Sequence, residues 1–176
     1  MTSFRRPDLR TFAALVAGAW FAVFNISIWV VWLPRDGLGN DFILYYRTEA
    51  LIGLHRGWSH IYDLDAVARA WVSYPHPPLG PGSRPGVPVL DAWAALPFSL
   101  LPEWPGYVLW ISVAALLFLA TWWLAAPGTG LEKLAHLLLL VAIFPPGFSI
   151  QLGQMVPFAL FPVALCWWLL ERGRPV

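Results

Sequence analysis

Charge is scarce in this chain. Of its 176 residues only 12% are Asp, Glu, Lys or Arg, about half the share with which an ordinary soluble domain wets its surface. Cysteine is nearly absent: Cys166 stands alone in an apolar run, so an internal disulfide and a CxxC metal clamp are both excluded. No polybasic stripe is present, and the net charge is +1, which leaves no basis for a nucleic-acid partner. The Walker loop, the Rossmann glycine pattern and the nucleophile elbow are all missing, which argues against soluble nucleotide chemistry. No internal repeat of solenoid length occurs.

What is abundant fits a lipid solvent. Hydrophobic residues make up 59% of the chain, and there are 12 Trp; indole rings favour the headgroup zone of a bilayer. The first apolar run, Phe12 to Leu33, contains one amide, Asn25, and no charge. At about 1.5 Å per residue it can cross a hydrocarbon core of about 30 Å. It is too long for a signal-peptide core and no small-x-small cleavage site follows it, so it is read as an anchor. Arg5, Arg6 and Arg10 precede it and place the N-terminus in the cytoplasm.

Residues 34–105 are expected to form a long outer loop. Up to Val87 it carries five basic residues (Arg35, Arg47, Arg56, Arg69, Arg84) against five acids (Asp36, Asp41, Glu49, Asp63, Asp65). Asp41 to Leu54 reads as one short amphipathic helix, capped by Asn40 and stopped by Gly57. Its residues Phe42, Tyr46, Leu51, Ile52 and Leu54 are expected to lie in the headgroup plane. A second short helix is expected over Asp63 to Val72 with Asp63 as cap. The Pro/Gly-rich stretch from Tyr74 to Pro88 is irregular chain. Leu90 to Leu101 is apolar, broken by Pro97, and short for a crossing. Further spans are read at 106–126, 134–150 and 155–170, separated by the turns Pro127–Lys133 and Gln151–Gln154. Counting Leu90 to Leu101 as interfacial or re-entrant gives four spans, and Lys133, Arg172 and Arg174 then join the N-terminal arginines inside; five spans would put them outside. The expected fold is therefore an all-α integral membrane domain of about four transmembrane helices, with short interfacial helices in the outer loop. The 34–105 loop and the Gln151–Gln154 turn share the outer face.

The chemistry-bearing candidates lie on that face. Asp41 follows the first span closely, so its carboxylate sits at the height of a lipid phosphate. There it can accept the proton of an attacking hydroxyl, or simply cap a helix, a role that would lower its pKa. Tyr45 and Tyr46 can stack on a sugar or anchor the interface. Arg47 can pair with a phosphate, with Glu49 or with headgroups. His76 stands in a rigid Tyr-Pro-His-Pro-Pro segment and can serve proton transfer or simply be solvated. Gln154 can hold a sugar hydroxyl or be part of a plain polar turn between spans. His55 and His60 are poorly spaced for a metal, and no metal site is expected. His136 is expected to snorkel or to bond a neighbouring carbonyl.

An ordered series of motifs accompanies these residues: Asp41-Phe42-x-x-Tyr45-Tyr46, Gly57, Ile61-Tyr62-Asp63, Tyr74-x-x-Pro77-Pro78, Leu101-Pro102 and Gly153-Gln154. In order and spacing it resembles the N-terminal part of the family 87 glycosyltransferases, bacterial membrane enzymes of the GT-C class similar to polyprenol-phosphate-mannose-dependent α-mannosyltransferases. The resemblance implies an enzyme at the outer face of the bacterial plasma membrane. It would move a hexose, mannose being the expected one, from a polyprenyl phosphate to a lipid-linked or glycan acceptor, with inversion and without a cofactor. It implies Asp41 as catalytic base; Tyr45, Tyr46, Arg47, His76 and Gln154 are then the candidate substrate contacts. Members of that family are considerably longer, so this chain is expected to correspond to a front half, with a second membrane subunit or segment completing the fold. The rival reading is a non-catalytic membrane scaffold.

Overall fold

The computed structural model describes residues 8–32, 41–71, 87–142, 150 and 152–173. All regular structure among them is helical: α1 Leu9–Trp32, a π-helical segment Asp41–Arg47, α2 Thr48–Arg56, a 3₁₀ turn Trp58–His60, α3 Leu64–Trp71, α4 Val89–Ser99, α5 Glu103–Ala125, α6 Leu131–Ala142 and α7 Val156–Glu171. Two helices, α1 and α5, are long and apolar enough to cross a membrane. The described extents of α6 and α7, 12 and 16 residues, are shorter than the roughly 20 residues of a full crossing.

The chain divides into two compact units. The first comprises residues 1–36, 115–150 and 156–176. Among the described residues its buried positions are Gly18, Ala22, Asn25, Ala135, Pro157 and Ala164, all compact or amide-bearing. Its large side chains point outward, among them Trp20, Phe24, Leu116, Trp123 and Trp167. Helix α1 begins on Asp8, whose carboxylate accepts the Thr11 amide at 2.7 Å and so satisfies one of the free N–H groups of the first turn. It packs against α6 along Gly18, Ala22 and Asn25, and a Cβ on Gly18 would lie 2.9 Å from the Leu138 Cβ. The Asn25 amide donates to the carbonyls of Val141 and Ala142. Small residues with one polar tie are how helices associate where no water is present to drive them together. His136 Nδ1 lies 2.9 Å from the Glu132 carbonyl, the local bond expected of it.

The second unit comprises residues 37–114 and 151–155. Here several large side chains are inside: Phe42, Leu44, Ile52, Ile61, Val67 and Trp110 are all buried, while Leu90, Trp93, Leu100 and Trp104 are exposed. Three sequence expectations are corrected. The one helix expected over Asp41 to Leu54 is a seven-residue π-helical segment, Asp41–Arg47, running into α2, which continues to Arg56. Its apolar residues do not lie in the headgroup plane: Phe42, Tyr46 and Ile52 are packed inside the unit, and Leu54 is the exposed one. Pro97 does not break Leu90 to Leu101, because it sits in the last turn of a continuous α4. Gly57, with φ of 99°, ends α2 as expected, its N–H bonding the Gly53 carbonyl. Asp63 caps α3, its carboxylate accepting the amides of Asp65 and Ala66 at 3.0 and 3.2 Å.

Candidate functional site

The π-helical segment opens on Asp41. Its turn is wider than an α-turn, so Thr48 reaches back five residues and its hydroxyl donates to the Ile43 carbonyl at 3.2 Å. Such segments are rare and are found mostly as single widened turns at functional sites. The wide turn lets four of the seven residues, Phe42, Ile43, Leu44 and Tyr46, be buried while Asp41 and Tyr45 stay half-buried at the edge.

Phe42 is fully buried against α5, 5.1 Å from the Trp110 ring and 6.3 Å from Tyr107. Gly153 closes over it. With φ of 77°, the backbone there turns in a way that side-chain-bearing residues resist, and a Cβ would lie 2.7 Å from the Phe42 Cβ. The Trp110 indole N–H donates to the Gly153 carbonyl at 2.8 Å. That docking brings Gln154 to Asp41, where its side chain acts on the carboxyl as a hydrogen-bond partner that lowers its pKa. The motif pairs Asp41-Phe42 and Gly153-Gln154, more than a hundred residues apart in the chain, are thus one contact in space.

The electrostatics follow from burial. Asp41 is held above the usual carboxylate range by desolvation, partly offset by the Gln154 hydrogen bond. Tyr45 is raised by burial and by the charge of Asp41. Tyr46 is pushed up to about 12, chiefly by burial, with smaller upward contributions from Asp41, Asp91 and Glu49 against a main-chain hydrogen bond from Met155. With its ring 5.8 Å from Trp110, Tyr46 is a wall of the site rather than a free substrate contact.

Arg47 bonds inward, its Nη2 donating to the Leu101 carbonyl at 3.3 Å. Among the described residues no ion pair joins it to Glu49. Glu49 is itself fully buried, neither of its oxygens has a hydrogen-bond partner in good geometry, and desolvation pushes it up to about 7. The nearby Val87 amide lowers it slightly and Asp91 raises it. His76 and Gln151 lie outside the described residues. No cluster of His, Cys, Asp or Glu suited to a metal occurs among the described residues.

Sequence reasoning missed Trp110 and Glu49. Trp110 lies in a Trp-rich apolar helix where ring anchors are the ordinary reading; the available signal was that a buried indole N–H needs an acceptor. Glu49 was weighed only as a partner for Arg47, because burial of an acid is not visible in a polar loop. No protein-family model, curated protein or solved structure matches the chain. The functional reading therefore stands on the residues themselves.

Proposed function

We propose that this chain is the membrane-embedded, base-bearing part of a GT-C hexosyltransferase. It would transfer mannose or a related hexose from a polyprenyl phosphate to a lipid-linked or glycan acceptor at the outer face of the plasma membrane. Four spans with the N-terminus inside, and the 34–105 loop and Gln151–Gln154 turn outside, complete the reading. The observation that carries it is Asp41: a half-buried carboxyl, raised above its ordinary range, held by Gln154 at the end of a π-helical turn. Those are the properties of a general base rather than of a surface cap, because a higher pKa strengthens proton acceptance near neutrality.

In the proposed reaction the acceptor hydroxyl oxygen attacks the anomeric carbon. The bond from that carbon to the phosphate oxygen breaks, and the polyprenyl phosphate leaves with the electron pair. The hydroxyl proton passes to Asp41, and the configuration at the anomeric carbon inverts. Tyr45, beside Asp41 and half-exposed, is the proposed ring contact; Gln154 both orients Asp41 and offers its remaining amide valences to a sugar hydroxyl. Arg47 and His76 are proposed to face the donor phosphate. No cofactor takes part, and a second membrane subunit or segment would close the donor cavity.

The test is transfer from radiolabelled polyprenyl-phosphate mannose in lipid nanodiscs, with the chain joined by the membrane segment or subunit that closes its donor cavity. Asp41→Asn keeps the side-chain shape and removes the base, so transfer should fall by about 10²–10⁴-fold. Transfer at the parent rate in that variant would remove Asp41 from the mechanism. Donor binding without any transfer in the parent chain would favour the scaffold reading.

A further inference from the structure

The site contains one group with no part in the chemistry so far and an unusual set of contacts. Trp110 is fully buried. It touches the base-bearing segment through Phe42 at 5.1 Å and Tyr46 at 5.8 Å, and it meets Phe98 of α4 edge-on at 5.1 Å. Its one polar atom is spent on the Gly153 carbonyl at 2.8 Å. Hydrophobic packing alone would not select that carbonyl. The next residue along is Gln154, whose side chain bonds Asp41. Gly153 itself is compressed on Phe42, so the turn has little freedom once the indole holds it.

We propose that Trp110 is a positioning residue for Asp41: its indole N–H fixes the Gly153 carbonyl and thereby keeps the Gln154 amide on the Asp41 carboxyl. The inference rests on the reading of Asp41 as the base. It gives the Gly-Gln turn a mechanical role, since the turn reaches its target only when docked on the indole. An Asp41 carboxyl that loses Gln154 keeps its burial and loses the hydrogen bond that favours its charged form. Its midpoint must then rise, and the fraction available as base at a given pH must fall.

The titratable groups that sense the Asp41 charge are Tyr45 and Tyr46 on its own segment, and Tyr46 in turn senses Glu49 on α2 and Asp91 on α4. Labelling only Asp side chains with ¹³C at the carboxyl removes Glu49 and the tyrosines from the measurement, and comparison with Asp41→Asn identifies the Asp41 signal. The experiment follows that signal against pH for the full chain in nanodiscs, alongside the pH profile of transfer. Trp110→Phe keeps an aromatic ring and removes the N–H. Its expected result is an upward shift of the Asp41 midpoint and the same shift of the acid limb of kcat/KM. A roughly tenfold fall in kcat with little change in KM should accompany it, the size expected for loss of one hydrogen bond in the site. Gln154→Leu should give the same shift, and the double variant no more than either alone.

Should Trp110→Phe fail to fold, the isostere benzothienylalanine at position 110, which replaces the N–H by sulfur, makes the same comparison. An unmoved Asp41 midpoint in a folded variant, or shifts that add in the double variant, would overturn the proposal. The carboxyl titration needs no turnover. A shifted midpoint in a chain that transfers no sugar would sustain Trp110 and sink the transferase reading; an unmoved midpoint in an active chain would do the reverse.

Discussion

The two units of this chain bury different kinds of residue. In the unit built on α1, α6, α7 and the second half of α5, the buried residues among those described are Gly18, Ala22, Asn25, Ala135, Pro157 and Ala164, while Trp20, Leu116 and Trp123 are exposed. In the unit built on the π-helical segment, α2, α3, α4 and the first half of α5, Phe42, Ile61 and Trp110 are buried completely. A solvent that repels apolar surface puts large side chains inside, as in the second unit. A solvent as apolar as Leu gives no such drive, and close approach through small residues with a few polar ties takes over, a pattern the first unit resembles. The contrast says where a chemical site can be built. Shielding a carboxyl from water while keeping it reachable needs a packed wall, and the unit with the aromatic wall is the one that carries Asp41.

The comparison can be broken in several ways. The largest expected effect concerns Glu49. Its pKa is raised to about 7 by burial, so the stability its neutral form preserves is fully present below the ordinary Glu range. That stability is lost as pH rises through about 7. Glu49→Gln removes the penalty and should stabilise the chain by on the order of 3 kcal/mol above neutrality and by little near pH 4. A gain independent of pH in denaturation assays would mean that Glu49 is not buried as described. Next is Leu116→Arg, on the outward face of α5. In a bilayer it should cost about 2.5–3.5 kcal/mol of insertion free energy, whereas on a water-exposed surface it would cost no more than about 0.5 kcal/mol. An insertion assay with a glycosylation reporter separates the two.

Gly153→Ala brings a Cβ against Phe42 at a positive φ and should lower stability by about 1–3 kcal/mol. Because the same turn carries Gln154, it should also weaken transfer, whereas Gly130→Ala, at a positive φ of 56° with open space around it, should lower stability without touching transfer. The smallest effect is expected in the lipid-facing unit: Asn25→Leu should cost about 0.6 kcal/mol and at most about 1.7, since interhelical hydrogen bonds in membranes are worth little net. A loss several times larger, read by unfolding in mixed micelles, would show that the α1–α6 contact depends on its polar tie rather than on close packing.

Much of the helical layout was legible. The long apolar runs predicted α1 and α5 because an uncharged stretch of that length has few other folds, and Asp63 announced the start of α3 by its residue type. The π-helical turn was not legible, since nothing in Asp41–Arg47 distinguishes a 3.6-residue turn from a wider one until Phe42 must meet both Gly153 and Trp110. The headgroup placement of Phe42, Tyr46 and Ile52 failed for a related reason. An amphipathic pattern says that one face is apolar, not whether lipid or protein covers it.

The sequence by itself determined the class: too little charge to wet a soluble domain, two helices of crossing length, and a polar segment with an acid close to the first of them. It also supplied the candidate pair Asp41 and Gln154. Only the tertiary structure decided that the pair comes together, that burial raises the carboxyl, and that Trp110 and Glu49 belong to the same unit. Those facts depend on which surfaces are removed from water together. Desolvation and hydrogen-bond geometry are properties of neighbours in space, and the neighbours here are brought in from more than a hundred residues away in the chain.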